Sequence, residues 1–210
     1  MAEKHPYDPF IPQGATRLII GSIPPSRFCL KNSRGFVRDQ RELKSDDVDF
    51  YYGSRDNYFW HLIGETFGET FTFQNTDKAL TERKDFLTKI KTGMTDMVDS
   101  CSRKNGGAMD KDFFDLQLKD LKTLLNTHPS VDTLIYTSDF IKRLVNQQVG
   151  NGCYHRSTPE KKKFEIKVAN RDYKVLVLYS PSPVALRGLG KNGQAIRLKQ
   201  YREFLLPGFL

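Results

Sequence analysis

Long apolar runs are absent from this 210-residue sequence, and so is any leader-like start. The longest apolar stretches, such as residues 18–20 and 176–179, are far too short to cross a bilayer. The first ten residues, MAEKHPYDPF, show neither a basic segment followed by an apolar one nor an amphipathic pattern rich in Arg and Ser. We therefore expect a cytoplasmic protein with no membrane partner.

Cysteine and histidine are scarce, and neither is spaced as in a metal site. The three cysteines, Cys29, Cys101 and Cys153, form no CxxC pair, so the sequence predicts neither a zinc ribbon nor a disulfide framework. The four histidines also lack metal-ligand spacing, and we expect each to be a surface or capping residue. Reduced thiols, no bound metal and no other cofactor are the expectation.

Charge is the first positive signal. The chain has 33 Lys and Arg against 25 Asp and Glu, a formal net charge of +8, and this balance favours an anionic partner such as nucleic acid. A scattered surplus of lysine is equally typical of a solvated surface, so the charge alone does not choose between the two.

The length fits one compact domain, and the pattern of elements indicates its class. Residues 1–16, rich in proline and polar residues, are predicted to form an N-terminal arm outside the core, followed by one α/β domain over residues 17–210. Apolar patterning predicts strands near 16–22, 93–99, 131–138, 164–168 and 173–179, the last two paired as a hairpin. It predicts helices at 57–66, 80–90, 113–125, 140–149 and 194–204, and polar connections at 102–112 and 153–163.

Strands that alternate with helices predict a three-layer αβα fold around a central, mostly parallel sheet. Ligands of such sheets bind outside the carboxyl ends of the strands. Two loops fall there: GSIPPS after the first strand and SPSP after the last. A third segment, YYGSRDNYFWHLIG, opens the first helix. Taken singly, these segments are explained as well by a rigid turn, a helix-initiating turn and core aromatics.

In this order, however, the three segments resemble the uracil-DNA glycosylase superfamily over nearly the whole chain. The resemblance is strongest to the mismatch-specific and the hypoxanthine-DNA (deoxyinosine) glycosylase branches, and TDMVDSCSRKNGGAMD is similar to their middle segment. It implies a uracil-DNA glycosylase-like α/β fold and a monofunctional enzyme of base excision repair. Such an enzyme flips a deaminated base, hypoxanthine or uracil, out of damaged double- or single-stranded DNA and hydrolyses its N-glycosidic bond.

The first motif matches incompletely. Gly21, Ser22, Pro24 and Pro25 correspond to a loop that wraps the flipped base, but Ile23 stands where the mismatch-specific branch has Asn and the classical uracil enzymes have Asp. An isoleucine can neither bind nor orient a water molecule, so the usual catalytic group of this motif is absent.

The helix-opening segment supplies the expected replacement. The resemblance to the hypoxanthine branch implies that Asn57 is catalytic, orienting the attacking water through its carbonyl and donating to the base through its amide. The alternative is that Asn57 only caps the helix, and both roles are compatible. Tyr52 matches the aromatic residue on which the base stacks, or Tyr51 if the register slips by one, while Phe59 and Trp60 are expected to pack behind the pocket.

The second motif also departs from its pattern, because Ser180 stands where the classical enzymes carry a histidine that donates to the leaving base. Ser180 is nevertheless counted with Asn57 as catalytic, and Ser182 is expected to bind a phosphate. After SPSP the resemblance implies a wedge, Leu186 or Arg187, that fills the hole left by the base. The base-binding residues so implied are Gly21, Ser22, Ile23, Pro24, Tyr52 and Ser138. The DNA-binding residues are Ser182, Pro183, Val184, Leu186, Arg187, Lys191 and Arg197.

Two further interpretations stay open. A glycosylase-like fold that lacks polar groups at Ile23 and a histidine at Ser180 could bind lesions or nucleic acid without cutting. An unrelated nucleotide or nucleoside hydrolase could share the sheet, although the chain has no GxGxxG or Walker-type loop for a phosphate. The protein is expected to act as a monomer.

Overall fold

In the computed structural model the described residues, 2–33, 36–107, 109–149 and 162–206, form two five-stranded sheets and five α-helices. The strands are β1 (Ala2–Lys4), β2 (Arg17–Gly21), β3 (Leu30–Ser33), β4 (Phe36–Arg38), β5 (Thr92–Asp96), β6 (Val98–Arg103), β7 (Phe113–Leu118), β8 (Thr133–Tyr136), β9 (Lys163–Val168) and β10 (Arg171–Val177). The helices are α1 (Phe59–Phe67), α2 (Asp77–Lys89), α3 (Leu121–Thr127), α4 (Asp139–Val149) and α5 (Gly193–Leu205).

The larger layer is the sheet β5-β2-β8-β10-β9, which is parallel except for its antiparallel edge strand β9. Its central strands are continuous apolar runs, as expected for strands that are covered on both faces. Ile19, Ile135 and Leu176 pack against α1, α2 and α5 on one face. Leu18 and Leu134 pack on the other face against α3, α4 and residues of β6. The predicted α/β class and layered architecture are confirmed.

The second sheet, β4-β3-β1-β6-β7, is antiparallel throughout and was not predicted. Its middle strand is β1, and Glu3 and His5 are buried there. The expectation that residues 1–16 lie outside the core is therefore wrong for this part of the segment. The hydrogen bond from the His5 amide to the Asp99 carbonyl, 2.7 Å long, continues the pairing of β1 with β6.

The helix predicted over 113–125 is also wrong. Residues 113–118 form β7, which pairs with β6, and a short helix begins only at Leu121. The side chain of Asp120 accepts a hydrogen bond from the Thr123 amide, which is the N-cap that fixes this start. The apolar residues at 113, 116 and 118 face β6 and α4 in a strand rather than along one face of a helix.

The other predicted elements are present within a few residues of their expected bounds. The hairpin of β9 and β10 is confirmed, with Phe164 opposite Val175. The predicted polar connection at 102–112 begins only after β6 ends at Arg103, and most of the one at 153–163 lies outside the described residues. Among the described helices, none is both long enough and apolar enough to cross a bilayer.

Candidate active site

A cleft of about 720 Å³ opens at the carboxyl ends of β2, β5, β8 and β10. This is the edge at which ligands of parallel α/β sheets bind, and the volume is typical of small-molecule sites. The cleft brings together the three segments singled out in the sequence. They contribute residues 22–25, residues 52–54 with 56–57, and residues 180–185.

Ile23, the apolar residue of the first loop, is buried at the cleft wall and leaves no polar side chain at that position. Arg103 fixes the loop from behind, because its guanidinium donates to the Pro24 carbonyl at 2.6 Å and to Glu3 at 2.6 Å. Gly21 lies under the cleft. A Cβ atom at Gly21 would collide with a carboxylate oxygen of Asp96 and with the hydroxyl of Tyr52.

Arg27 joins the first loop to the aromatic segment. Its guanidinium makes two 2.8 Å hydrogen bonds to Asp47 and one of 2.7 Å to Ser54. Burial alone would raise the pKa of Asp47, but hydrogen bonds from Arg27 and from the amides of Lys44 and Arg55 lower it below its usual value. The loop that carries the stacking and helix-opening residues is thus held against the first motif.

Tyr52 lies in the cleft as predicted. Its ring stacks on Phe59 with centroids 4.3 Å apart, and its hydroxyl lies 2.8 Å from the hydroxyl of Thr137. The backbone of Tyr52 has a φ of 55°, an uncommon conformation for a residue with a side chain. Burial, followed by the nearby charge of Asp96, raises the pKa of Tyr52 well above its usual value, so the phenol stays neutral.

The alternative register is wrong. Tyr51 is buried away from the cleft, where its hydroxyl donates to the Asp8 carbonyl. Phe59 and Trp60 are buried behind Tyr52, as expected for packing residues.

Asn57 lies at the cleft, half-buried, immediately before α1. Its side-chain carbonyl accepts a 2.9 Å hydrogen bond from the amide of Phe59, the first residue of α1, whereas the N-cap position itself is occupied by Tyr58. An amide oxygen has two lone pairs, and the amide nitrogen makes no hydrogen bond to any residue that the structure describes. The geometry therefore leaves the catalytic role compatible with the cap.

The SPSP loop forms the opposite wall of the cleft. The Ser180 hydroxyl accepts from the Ser182 amide at 3.3 Å, and both side chains are half-buried. The Pro181 carbonyl accepts from the Tyr58 amide, which joins this loop to the start of α1. Ser138, after β8, also lines the cleft.

Arg197 is placed differently from the prediction. Its side chain is fully buried, and one nitrogen donates to the Ser182 carbonyl at 3.0 Å. Burial lowers the pKa of Arg197. A guanidinium in this position supports the SPSP loop from beneath and is not exposed to a phosphate.

The segment after SPSP, Pro183–Leu189, is a short 3-10 helix. Val184 is 48% exposed and lines the cleft, whereas Leu186 is half-buried and packs toward Gly193 at the start of α5. Arg187 and Lys191 are exposed beside the cleft but do not line it.

Sequence reasoning missed two parts of the site. Asp96, at the end of β5, is a buried carboxylate that lines the cleft, and His5 lies 2.9 Å from it. The expectation that His5 is a surface or capping residue is thus wrong. The feature that could have indicated Asp96 is its position at the carboxyl end of a predicted strand. The sequence does not show, however, that this strand, β5, pairs with β2.

The second missed part is the segment after β6. The expected exposed loop contributes Met109, Asp110 and Lys111 to the cleft. Burial raises the pKa of Asp110, and the charge of Arg143 opposes this. Cys29 and Cys101 are buried free thiols, and among the described residues no group of three or more potential ligands is placed to hold a metal.

Comparison with known proteins identifies a structural neighbour and no sequence relative. No protein-family model and no curated protein matches the sequence. The solution NMR structure of a protein described as a "putative Uracil DNA glycosylase" from Methanosarcina acetivorans is 22% identical to this chain, with a TM-score of 0.56. The match covers 96% of this chain and 98% of that chain. The chain described here therefore shares its α/β fold with the Methanosarcina acetivorans protein over nearly its whole length.

Proposed function

We propose that the protein is a monofunctional DNA glycosylase of base excision repair, which hydrolyses the N-glycosidic bond of a deaminated base, hypoxanthine or uracil. The observation that carries the proposal is the convergence of the GSIPPS loop, the segment of Tyr52 and Asn57, and the SPSP loop on one cleft. The fold shared with a protein described as a glycosylase supports it.

In this proposal the damaged nucleotide leaves the duplex and enters the cleft, where the base stacks on the free face of Tyr52. Stacking of this kind contributes about 1–3 kcal/mol per base. Ser182, on a loop made rigid by two prolines, binds the adjacent phosphate. Asn57 orients water with its second lone pair and donates to the base through its amide. The three motifs contain no lysine, so neither a covalent intermediate nor a lyase step is expected.

The test is excision from duplexes that contain uracil, deoxyinosine or xanthine, followed by alkaline cleavage of the abasic site. We expect strand cleavage at one or more lesions and none in the undamaged duplex. Lesion-specific binding without cleavage would favour the non-catalytic alternative, and neither binding nor cleavage would refute the proposal.

Two Asn57 variants separate catalysis from capping. Asn57→Ala removes both roles, whereas Asn57→Ser keeps a side chain that caps a helix but is too short to reach a water in the cleft. We expect both variants to bind the lesion duplex and to lose excision, with a lowered melting temperature only for Asn57→Ala. Asn126→Ala, an exposed position in α3, is the matched control. Excision retained by Asn57→Ser would leave Asn57 with the capping role alone.

A further inference from the structure

Asp96 is a buried carboxylate at the floor of the cleft. It ends β5 and lies opposite Gly21 in the parallel pairing of β2 with β5. Because Gly21 has no side chain, there is room above it for Oδ1 of Asp96 and for the Tyr52 hydroxyl. Its partner Gly21 is two residues before Ile23, the position at which the first loop carries no polar group.

The other oxygen of Asp96 is fixed from behind by His5. The imidazole Nε2 lies 2.9 Å from Oδ2, and the His5 side chain is fully buried. Nε2 faces a carboxylate oxygen, so it carries the proton that is donated to Asp96. On the other side of the ring, Nδ1 lies 3.1 Å from the Tyr7 amide and 2.9 Å from the Tyr7 carbonyl. Among the described residues no group hydrogen-bonds Oδ1, which is left to accept from a molecule in the cleft.

A half-buried lysine extends this chain of contacts. The Lys119 amine lies 3.3 Å from Nδ1 of His5 and donates to the Tyr7 carbonyl at 3.1 Å. Burial lowers the pKa of Lys119, and the nearby charge of Asp96 opposes this. The amine of Lys119 thus lies directly behind the imidazole that contacts Asp96.

We infer that Asp96 is a catalytic carboxylate of this cleft, which accepts a proton from the attacking water, and that His5 and Lys119 position it. The inference rests on the proposed function and adds to it the charged group that Ile23 does not supply. Asn57 then orients the water and the base, while Asp96 acts as the base.

The chemistry balances without a further reactant. The bond between the anomeric carbon and the base nitrogen breaks, and its electron pair leaves with the base. The water oxygen bonds to the anomeric carbon and gives one proton to Oδ1 of Asp96. The leaving base takes up one proton from solvent and Asp96 returns one, so the carboxylate is restored.

The test is single-turnover excision by Asp96→Asn on whichever lesion the wild-type chain cleaves. The substitution keeps the size of the side chain and an acceptor for His5, but it removes the base. We expect the excision rate to fall by about 10²–10⁴-fold, the usual contribution of a general base, with lesion binding retained. Asp85→Asn, an exposed carboxylate of α2 outside the cleft, should keep the wild-type rate.

The outcomes separate this inference from the proposed function. If the wild-type chain cleaves and folded Asp96→Asn cleaves at a similar rate, the inference is wrong and the glycosylase proposal stands. If the wild-type chain cleaves no lesion, the proposed function is wrong, and the inference about Asp96 is wrong with it.

Lys119 variants keep the inference testable if Asp96→Asn does not fold. We expect Lys119→Met to slow single-turnover excision while lesion binding is retained, because His5 loses a contact that fixes its orientation toward Asp96. Lys119→Arg should restore the rate. An unchanged excision rate in folded Lys119→Met would overturn the positioning role. The other charged or titratable groups near this chain of contacts are Lys4, Asp8, Tyr51, Tyr52 and Asp99.

Discussion

Single buried carboxylates hold the walls of the cleft in place. Glu3 receives hydrogen bonds from Ser26, Lys31 and Arg103, which join β1 to the first loop and to β6. Asp47 does the same for the aromatic segment through Arg27. A buried charge is costly unless it is paired, so these carboxylates stabilise the fold only while they stay ionised and partnered.

Glu3 gives a pH-dependent prediction. Burial would raise its pKa, but the hydrogen bonds from Ser26, Lys31 and Arg103 lower it below the ordinary 4.5. The contribution of Glu3 to the free energy of unfolding is therefore complete at pH values above its pKa in the unfolded chain. It is lost as the pH falls through its lower pKa in the folded protein. We expect Glu3→Gln to lower the free energy of unfolding by about 3 kcal/mol at pH 7, because Arg103 is left buried without its partner.

The measurement is urea unfolding of wild type and variant between pH 3 and pH 7, where the two curves should approach each other on the acid side. Glu165→Gln, an exposed carboxylate on β9, should follow the wild type throughout. A difference between wild type and Glu3→Gln that stays constant with pH would contradict the assignment.

At the scale of single residues, the sequence predicts those site residues that belong to a local motif. Tyr52, Asn57 and Ser182 follow from their places in the three segments, and all of them line the cleft. Asp96 and His5 could not be predicted together, because 91 residues separate them and their contact depends on a sheet that the sequence did not reveal. The burial of Arg197 was missed because a charged residue near a predicted DNA loop favours a surface position.

Two short segments present exposed apolar side chains to the cleft. Val184 lies on the 3-10 helix after SPSP and is 48% exposed, and Met109 lies after β6 and is 46% exposed. Large apolar side chains that are exposed at a cleft rim are suited to enter the space left by an extruded base. We therefore propose Val184 and Met109, in place of the expected Leu186 or Arg187, as the side chains that would fill this space.

We expect Val184→Ala and Met109→Ala each to slow single-turnover excision by about tenfold, equivalent to about 1.4 kcal/mol, because filling the stack offsets part of the cost of unstacking. Fluorescence of 2-aminopurine beside the lesion should show reduced flipping. Ile196→Ala, in α5, removes a similarly exposed side chain that does not line the cleft and should change neither quantity. Normal flipping in both cleft variants would rule out the wedge.

At the element scale, periodicity predicted the parallel sheet better than the antiparallel one. The central strands are uninterrupted apolar runs, which are unambiguous in a layered α/β protein. Strand β7 has apolar residues at 113, 114, 116 and 118, a spacing that also fits the face of a helix, and only its pairing with β6 decides for a strand. Strand β1 is three residues long, too short for any periodicity to be visible.

For the molecule as a whole, the proposed function and the surplus of eight positive charges together predict that binding to DNA weakens as the salt concentration rises. Arg187 and Lys191 are the exposed cations beside the SPSP loop. Lys91 and Lys174 are also exposed, but Lys91 directly precedes β5 and Lys174 lies beside Thr133, the first residue of β8, so both are at the end of the sheet opposite the cleft. These two pairs allow a matched comparison of charge at the two ends of the molecule.

We expect the double change Arg187→Gln with Lys191→Gln to reduce the slope of log affinity against log salt by about 1 for each lost phosphate contact. Lys91→Gln with Lys174→Gln removes the same charge and should leave the slope unchanged. Fluorescence anisotropy on a lesion duplex between 50 and 200 mM salt, the range over which phosphate contacts weaken strongly, measures both. Equal slopes for the two double variants would show that the DNA does not contact Arg187 and Lys191.

The position of β1 has a consequence for the order in which the protein is assembled. Residues 2–4 pair with residues 30–32 on one side and with residues 100 and 101 on the other. During synthesis, therefore, about a hundred residues must leave the ribosome before the opening segment gains both neighbours and His5 meets Asp96. A nascent chain can form the first loop early, but the contact of His5 with Asp96 can form only after β5 and β6 have left the ribosome.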